Sequence, residues 1–330
     1  MNKKVLSIIF GLLVGVVLLL LWSNSFDIDY LRKSMTNIKP MYVVISGLCY
    51  IFAYVIRSFR WKLLLEKQVA ISYKEAWLVS AAGNWINYLI PIRAGELIKA
   101  ILIKRIKKIS AVSIMPSIFF DKFFDTLGIF FVILLIPFVN VKTSYGLKLL
   151  IILLLFMFAI LFSTMIFAAK NKDSTIKILQ RIFFWLPKNI SIKIDNLIEI
   201  FVNCLNIFDH QKRIISLSLM LTGLGIIFDS LYFYFVFCAF SYNISFLIIL
   251  FGYTLINLSY VLPQPPAQLG SNEWMMIIIF SLGFGLTKNM ASAIMVFAHL
   301  FTALIITVLG IIGFTYAGIH SIKQIQKELK

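Results

Sequence analysis

Between Ala76 and Ile103 an otherwise apolar segment carries Pro91-Ile92-Arg93-Ala94-Gly95-Glu96 at its middle. An arginine or aspartate at the centre of a membrane helix costs roughly 2.5–3.5 kcal/mol on insertion scales. Ions at that depth therefore point to a functional site with a partner to be found. Pro91 also denies a continuous helix one donor and crowds the carbonyl of Asn87. Split at the Pro91–Gly95 turn, neither arm is long enough to span a hydrocarbon core of ~30 Å at ~1.5 Å per residue. The segment predicts a first re-entrant hairpin over 76–103. Its broken tip is tolerated at depth only where protein or a watery cavity surrounds it.

The rest of the chain agrees with a bilayer. Of 330 residues 61% are hydrophobic and 14% are charged, against about 25% charged in soluble domains. The expected class is an all-α polytopic integral membrane protein, a single membrane domain over residues 1–330, with about six full spans plus two broken hairpins arranged as inverted repeats. The net charge of +17 sits in clusters between apolar runs, where it sets topology and meets anionic lipid rather than nucleic acid. Cys49, Cys204 and Cys238 have no CxxC or CxxH spacing, so neither a disulfide framework nor a zinc site follows. No cofactor is expected.

The first span covers 5–22, uncleaved because its apolar run exceeds the ~7–15 residues of a signal peptide. Asn24 to Pro40 reads as a mixed-charge loop. Met41 to Ile56 returns to the cytoplasm and ends at Arg57-Ser58-Phe59-Arg60-Trp61-Lys62, where long cations are expected to snorkel. Were 76–103 to cross once, Lys104-Arg105-Ile106-Lys107-Lys108 and the basic tract 170–213 would both lie outside, against the positive-inside rule. The dip-and-return hairpin removes that conflict. Residues 170–213 form a cytoplasmic amphipathic segment, and 244–284, broken by Pro263, Pro265 and Pro266, forms a second re-entrant hairpin from the opposite face. A final span from Met290 leads to a cytoplasmic C-terminus, which places both termini on that side of the cell membrane. Broken hairpins in each half point to a midplane binding site.

Glu96, Asp121, Asp125, Asp229 and Glu273 lie in or beside apolar segments and must be paired, hydrated or protonated. Arg93 and Lys122 are expected to answer Glu96, Asp121 and Asp125 around a water-filled cavity. Arg93 offers a planar fork to phosphate oxygens, and Gly95 and Gly270 would let backbone approach a ligand. Asn84, Asn87, Gln264, Gln268 and Asn272 supply neutral hydrogen bonds. His299 reads as a helix-to-helix hydrogen bond. The candidate substrate-binding set is thus Asn87, Arg93, Gly95, Glu96, Asp121, Lys122, Asp125, Gly270 and Glu273. No GxxxxGK[ST], GxSxG or HExxH occurs, so no enzyme activity is expected. Protonation of an embedded carboxylate is the available driving force.

With Arg57-Ser58-Phe59-Arg60-Trp61, Asn87, Pro91 to Glu96, Asp121, Asp125, Pro263, Pro265, Gly270 and Glu273 in view, the chain from about Met41 to Ile319 resembles the flippase-like family that includes the transmembrane region of lysylphosphatidylglycerol synthases, also described as the YbhN and AglD type. Two positions depart from that pattern. Asp121-Lys122 stands where the family looks like glutamate-arginine, and Ala267-Gln268 replaces glycines before Gly270. The resemblance implies a lipid flippase without the aminoacyl-transfer domain. Its substrate would be an aminoacyl-phospholipid, a glycolipid or a polyprenyl-phosphate-linked sugar. Partners would be membrane lipids, with a lipid-modifying enzyme or a second copy of the chain. A non-transporting subunit that supports such an enzyme, and a small-solute transporter, are the competing readings.

Overall fold

The computed structural model describes residues 3–24, 26–66, 68–90, 94–135, 144–170, 212–260 and 264–318. Its elements are all helices, with no strand among the described residues. In chain order the helices are α1 (Lys3–Ser23), α2 (Ile28–Thr36), α3 (Pro40–Leu65), α4 (Tyr73–Leu89), α5 (Gly95–Lys107), α6 (Met115–Leu135), α7 (Tyr145–Lys170), α8 (Lys212–Ala239), α9 (Phe246–Ser259), α10 (Ser271–Met276) and α11 (Lys288–Tyr316). A π-helical stretch, Ile277–Gly283, continues α10.

The helix starts follow local chemistry. Pro40 occupies the first turn of α3, where its missing N–H has no intrahelical partner to lose. Ser72 and Glu75 form a reciprocal capping box at α4. Asp27 caps α2 by accepting from the Asp29 and Tyr30 N–H groups at 2.9 and 3.4 Å. The stretch read as a loop between Asn24 and Pro40 therefore holds a short helix, because a carboxylate satisfies the donors of its first turn.

Three helices, α3, α8 and α11, are long and apolar enough to cross a bilayer, and the bent pair α1 and α2, which turns by 89°, would make a fourth. Six full spans are not reached among the described residues. Helix α6 holds Asp121, Lys122 and Asp125 within its 21 residues, and α9 is only 14 residues long, about 21 Å. Segment 171–211, which holds most of the amphipathic tract, and the C-terminal residues 319–330 lie outside the described residues.

Helix α3 packs along α8, and α11 along α4. Outward faces are apolar: Val44, Leu48 and Phe52 on α3 and Leu300, Leu304 and Val308 on α11 are exposed at helical spacing, while charged residues such as Arg60, Asp121 and Glu273 are buried. That inside-out polarity suits lipid as the surrounding solvent. In lipid, apolar contact alone gives little preference for helix association, so close packing and interhelical polar contacts decide it.

Both predicted breaks are present. Helix α4 ends at Leu89 with Ile90 in extended conformation, and α5 restarts at Gly95 and folds back on α4. A Cβ on Gly95 would collide with the Gly83 carbonyl oxygen of the opposite arm, so only glycine permits this approach. In the second hairpin the Phe280 ring of the π-helical arm packs onto Gly252 of α9. Its neighbours Phe233, Phe237 and Tyr253 complete an aromatic core.

Candidate functional site

A cavity of about 220 Å³ lies between the α3/α8 pair and the α4/α11 pair. Helix α3 contributes Tyr50, Tyr54 and Arg57, and α8 contributes Asp229 and Tyr232. The first hairpin contributes Asn84, Asn87, Tyr88 and Glu96, and the second contributes Asn257, Tyr260, Gln264, Gln268 and Asn272. Lys122 and His299 close the remaining walls. All five neutral side chains anticipated from the sequence, Asn84, Asn87, Gln264, Gln268 and Asn272, line this space. A second cavity of about 180 Å³, bounded by Arg57, Lys122, Asp125 and Asp229, shares walls with the first.

The ions beside the cavity form one network. Arg60, 1% exposed, sends Nη2 to Asp121 Oδ1 at 2.7 Å and to Asp125 Oδ1 at 2.6 Å, and Nη1 to Thr222 Oγ1 at 2.7 Å. Arg57 pairs with Asp229 and lies 3.9 Å from Asp125. Lys122 Nζ lies 3.1 Å from Glu96 and 3.4 Å from Asp125, and Lys99 Nζ lies 3.2 Å from Glu96. Four cations thus face four carboxylates among the described residues, and the polar centre is balanced in charge. Removing one member of such a buried set leaves an uncompensated ion, at a cost of about 3–5 kcal/mol.

Several expectations change here. Arg57 and Arg60 do not snorkel to the headgroups. Both turn inward, because α3 presents them to the carboxylates of α6 and α8, which compensate them better than a distant interface could. Lys122 answers Glu96 and Asp125 as expected, but among the described residues Arg60 rather than Lys122 is the cation bound to Asp121. Arg93 lies outside the described residues. Asp121 lines a smaller adjoining cavity of about 100 Å³ instead of the main one. Arg57, Arg60 and Lys99 belong to this network although the sequence reading gave them no part in the site, and Asp229, read as an embedded ion without a named partner, pairs with Arg57. Their signal was an opposite charge on another helix, and spacing along one chain does not show that.

The first tip is held by a clamp reaching across its break. Asn87 Oδ1 accepts the Gly95 N–H at 2.8 Å, while its Nδ2 donates to Glu96 Oε1 at 3.0 Å. A side chain of α4 thereby caps α5, whose own N-cap residue, Ala94, supplies no side-chain bond. The Gly95 N–H is accordingly occupied by Asn87, and the glycine lies in close contact with Gly83 of the opposite arm.

The second tip is held differently. Ala267 and Gln268 adopt φ values of 53° and 56°, a left-handed conformation that costs a residue with a Cβ about 1–2 kcal/mol. These are the positions where glycines would be free of strain. Gly270, at φ 76°, packs against the backbone of α1 at Gly15 and Leu19, which seats the tip on the first helix. Glu273 is not on the cavity wall. It lies behind His299, which does line the cavity, with His299 Nδ1 2.6 Å from Glu273 Oε1 and Nε2 2.8 Å from the Ala267 carbonyl. Tyr88 Oη, from the first hairpin, lies 3.1 Å from the same Nε2. Among the described residues no group of three or more His, Cys, Asp or Glu could hold a metal ion.

The model of the family described as Lysylphosphatidylglycerol synthase TM region matches residues 8–310. A UPF0104 membrane protein of Methanocaldococcus jannaschii is 25% identical over 312 residues, covering 92% of each chain. A UPF0104 membrane protein of Methanothermobacter thermautotrophicus is 19% identical over 331 residues, covering 96% of each.

Proposed function

The chain belongs to the lysylphosphatidylglycerol synthase transmembrane-region family, and from that premise we propose that it translocates a polar-headgroup lipid across the cell membrane. The observation that carries this reading is a cavity walled by the tips of two broken hairpins, lined with amides, phenols and a neutralised ion network. A headgroup entering it exchanges water for hydrogen bonds of both polarities while its tails remain in lipid. The balanced charges suit a headgroup bearing both signs or none, such as an aminoacyl-phospholipid or a glycolipid, better than a purely anionic one. Arg93, beside the first tip in sequence, would supply the fork for a linking phosphate in a polyprenyl-phosphate sugar. In this reading the hairpins are inverted repeats, both termini are cytoplasmic, and the protein itself performs no bond chemistry.

The test is reconstitution. A headgroup-labelled aminoacyl-phosphatidylglycerol and a labelled glycolipid should each be followed in vesicles with and without the protein, and at least one should change leaflet faster with it. Glu96→Gln should slow that exchange roughly tenfold, the effect of losing one contact of ~1.4 kcal/mol. Unchanged exchange in the presence of folded protein, together with lost activity of a co-purifying lipid-modifying enzyme on deletion of 170–213, would favour the non-transporting subunit.

A further inference from the structure

His299 stands where α11 meets both hairpin tips, and its hydrogen bonds impose a protonation state. Glu273 Oε1, as a carboxylate, accepts at Nδ1, and the Ala267 carbonyl can only accept at Nε2. Both contacts are satisfied together when the imidazole–carboxylate pair carries its full complement of protons, wherever the one between Nδ1 and Oε1 rests. Glu273 is 4% exposed and its second oxygen, Oε2, is buried without a hydrogen-bond partner among the described residues, so the carboxylate depends on this ring for compensation. Remove one proton, and the one that remains stays at Nδ1 beside the carboxylate. Nε2 is then a bare acceptor. It repels the Ala267 carbonyl and takes a hydrogen bond from the Tyr88 hydroxyl, already 3.1 Å away.

We propose that the His299–Glu273 pair is a proton-binding site whose occupancy decides which hairpin tip α11 holds: the second through Ala267 when loaded, the first through Tyr88 when empty. The left-handed residues Ala267 and Gln268 make the second tip ready to relax once its carbonyl loses the donor. Gln268, and Asn272 whose Nδ2 donates to it at 3.0 Å, line the cavity, so that relaxation changes the wall that meets a substrate. Among the described residues, the other titratable groups facing the pair are Tyr88 from α4, Tyr232 from α8, whose hydroxyl donates to the Ala298 carbonyl at 3.1 Å, and Tyr260 at the end of α9. Glu96, Lys122 and Asp229 border the same cavity from α5, α6 and α8. The chemistry of the site stands without the translocase reading; its consequence for transport rests on that reading.

Nitrogen-15 NMR of the full chain in lipid nanodiscs, with His210 and His320 replaced by glutamine, reads the ring directly. We expect both ring nitrogens protonated in acid, and a proton lost from Nε2 alone as the pH is raised. Tyr88→Phe, which keeps ring and carboxylate, should raise that midpoint by about half a unit to one unit, the equivalent of one lost hydrogen bond. A ring in one protonation state from about pH 5 to 9, loss from Nδ1 instead, or a midpoint indifferent to Tyr88→Phe would overturn the site. Leaflet exchange of a headgroup-labelled aminoacyl-phosphatidylglycerol, in vesicles of phosphatidylglycerol and phosphatidylethanolamine, tests the coupling separately. Its rate should change about tenfold across the same midpoint, and His299→Gln should flatten the profile. A flat profile in the unaltered protein while the ring titrates would overturn coupling. Absence of exchange at every pH would instead defeat the translocase reading and leave the NMR result to decide the proton site.

Discussion

The two hairpins meet at one cavity but are secured by unlike means. The first is fixed by charge and by backbone contact: Glu96 is gripped by Lys99 and Lys122, Asn87 clamps Gly95, and Gly83 lies against Gly95. The second has an aromatic base, Phe280 on Gly252 beside Phe233 and Tyr253. Above that base is a left-handed tip, seated on α1 through Gly270, whose Ala267 carbonyl meets α11 through the His299 imidazole. Ion pairs and carbonyl contacts at this depth are stiff because their loss leaves polar groups unpaired in lipid. A strained turn joined to α11 through an imidazole that can lose its donor is softer by comparison. A polar cavity in a membrane can therefore be built with one rigid lip and one compliant lip from similar broken helices.

The largest test of that contrast concerns the ion network against which the rigid hairpin leans. Arg60→Ala strands Asp121 in a buried setting and takes from Asp125 one of its cations, and we expect a loss of about 3–5 kcal/mol, read as a lowered unfolding temperature in detergent. A change below about 1 kcal/mol, the range of exposed pairs, would show that the network does not anchor the fold. Next in size, Gly95→Ala drives a methyl group into the Gly83 carbonyl and should cost about 1–3 kcal/mol. Gly252→Ala meets a side chain, the Phe280 ring, rather than backbone, so its cost should be smaller. Equal costs in the same melting measurement would erase the distinction between the hairpins. The smallest effect has the opposite sign. Ala267→Gly relieves about 1–2 kcal/mol of left-handed strain and returns about 0.4–1 kcal/mol through the freer unfolded chain, so the melting temperature should rise slightly. A fall would show that the second tip is not strained.

Much of this was legible in the residues, and the boundary has a physical cause. Pro91 and Gly95 mark a helix break by covalent geometry and the absence of a Cβ, both local properties, and the break is where they put it. The amides that line the cavity were recognisable because Asn and Gln inside apolar segments require partners. Partnership across helices was not readable. Arg60 sits at a helix end rich in cations and aromatics, which is also how an interfacial anchor reads, and only the approach of Asp121 and Asp125 separates the two. Gly270 and Gly95 were assigned to ligand approach because glycine signals closeness without saying to what. In both cases the close neighbour is another helix.

Arg60 also has a history during synthesis. Its carboxylate partner Asp121 follows 61 residues later and its hydroxyl partner Thr222 follows 162 residues later. At a ribosomal pace of about 5–20 residues per second, the guanidinium waits roughly 3–12 s for its first counter-ion. Throughout that interval α3 carries two uncompensated arginines near one end, and full burial of that end has to be deferred until α6 emerges. The order of the helices along the messenger thus sets the order in which the bundle can close.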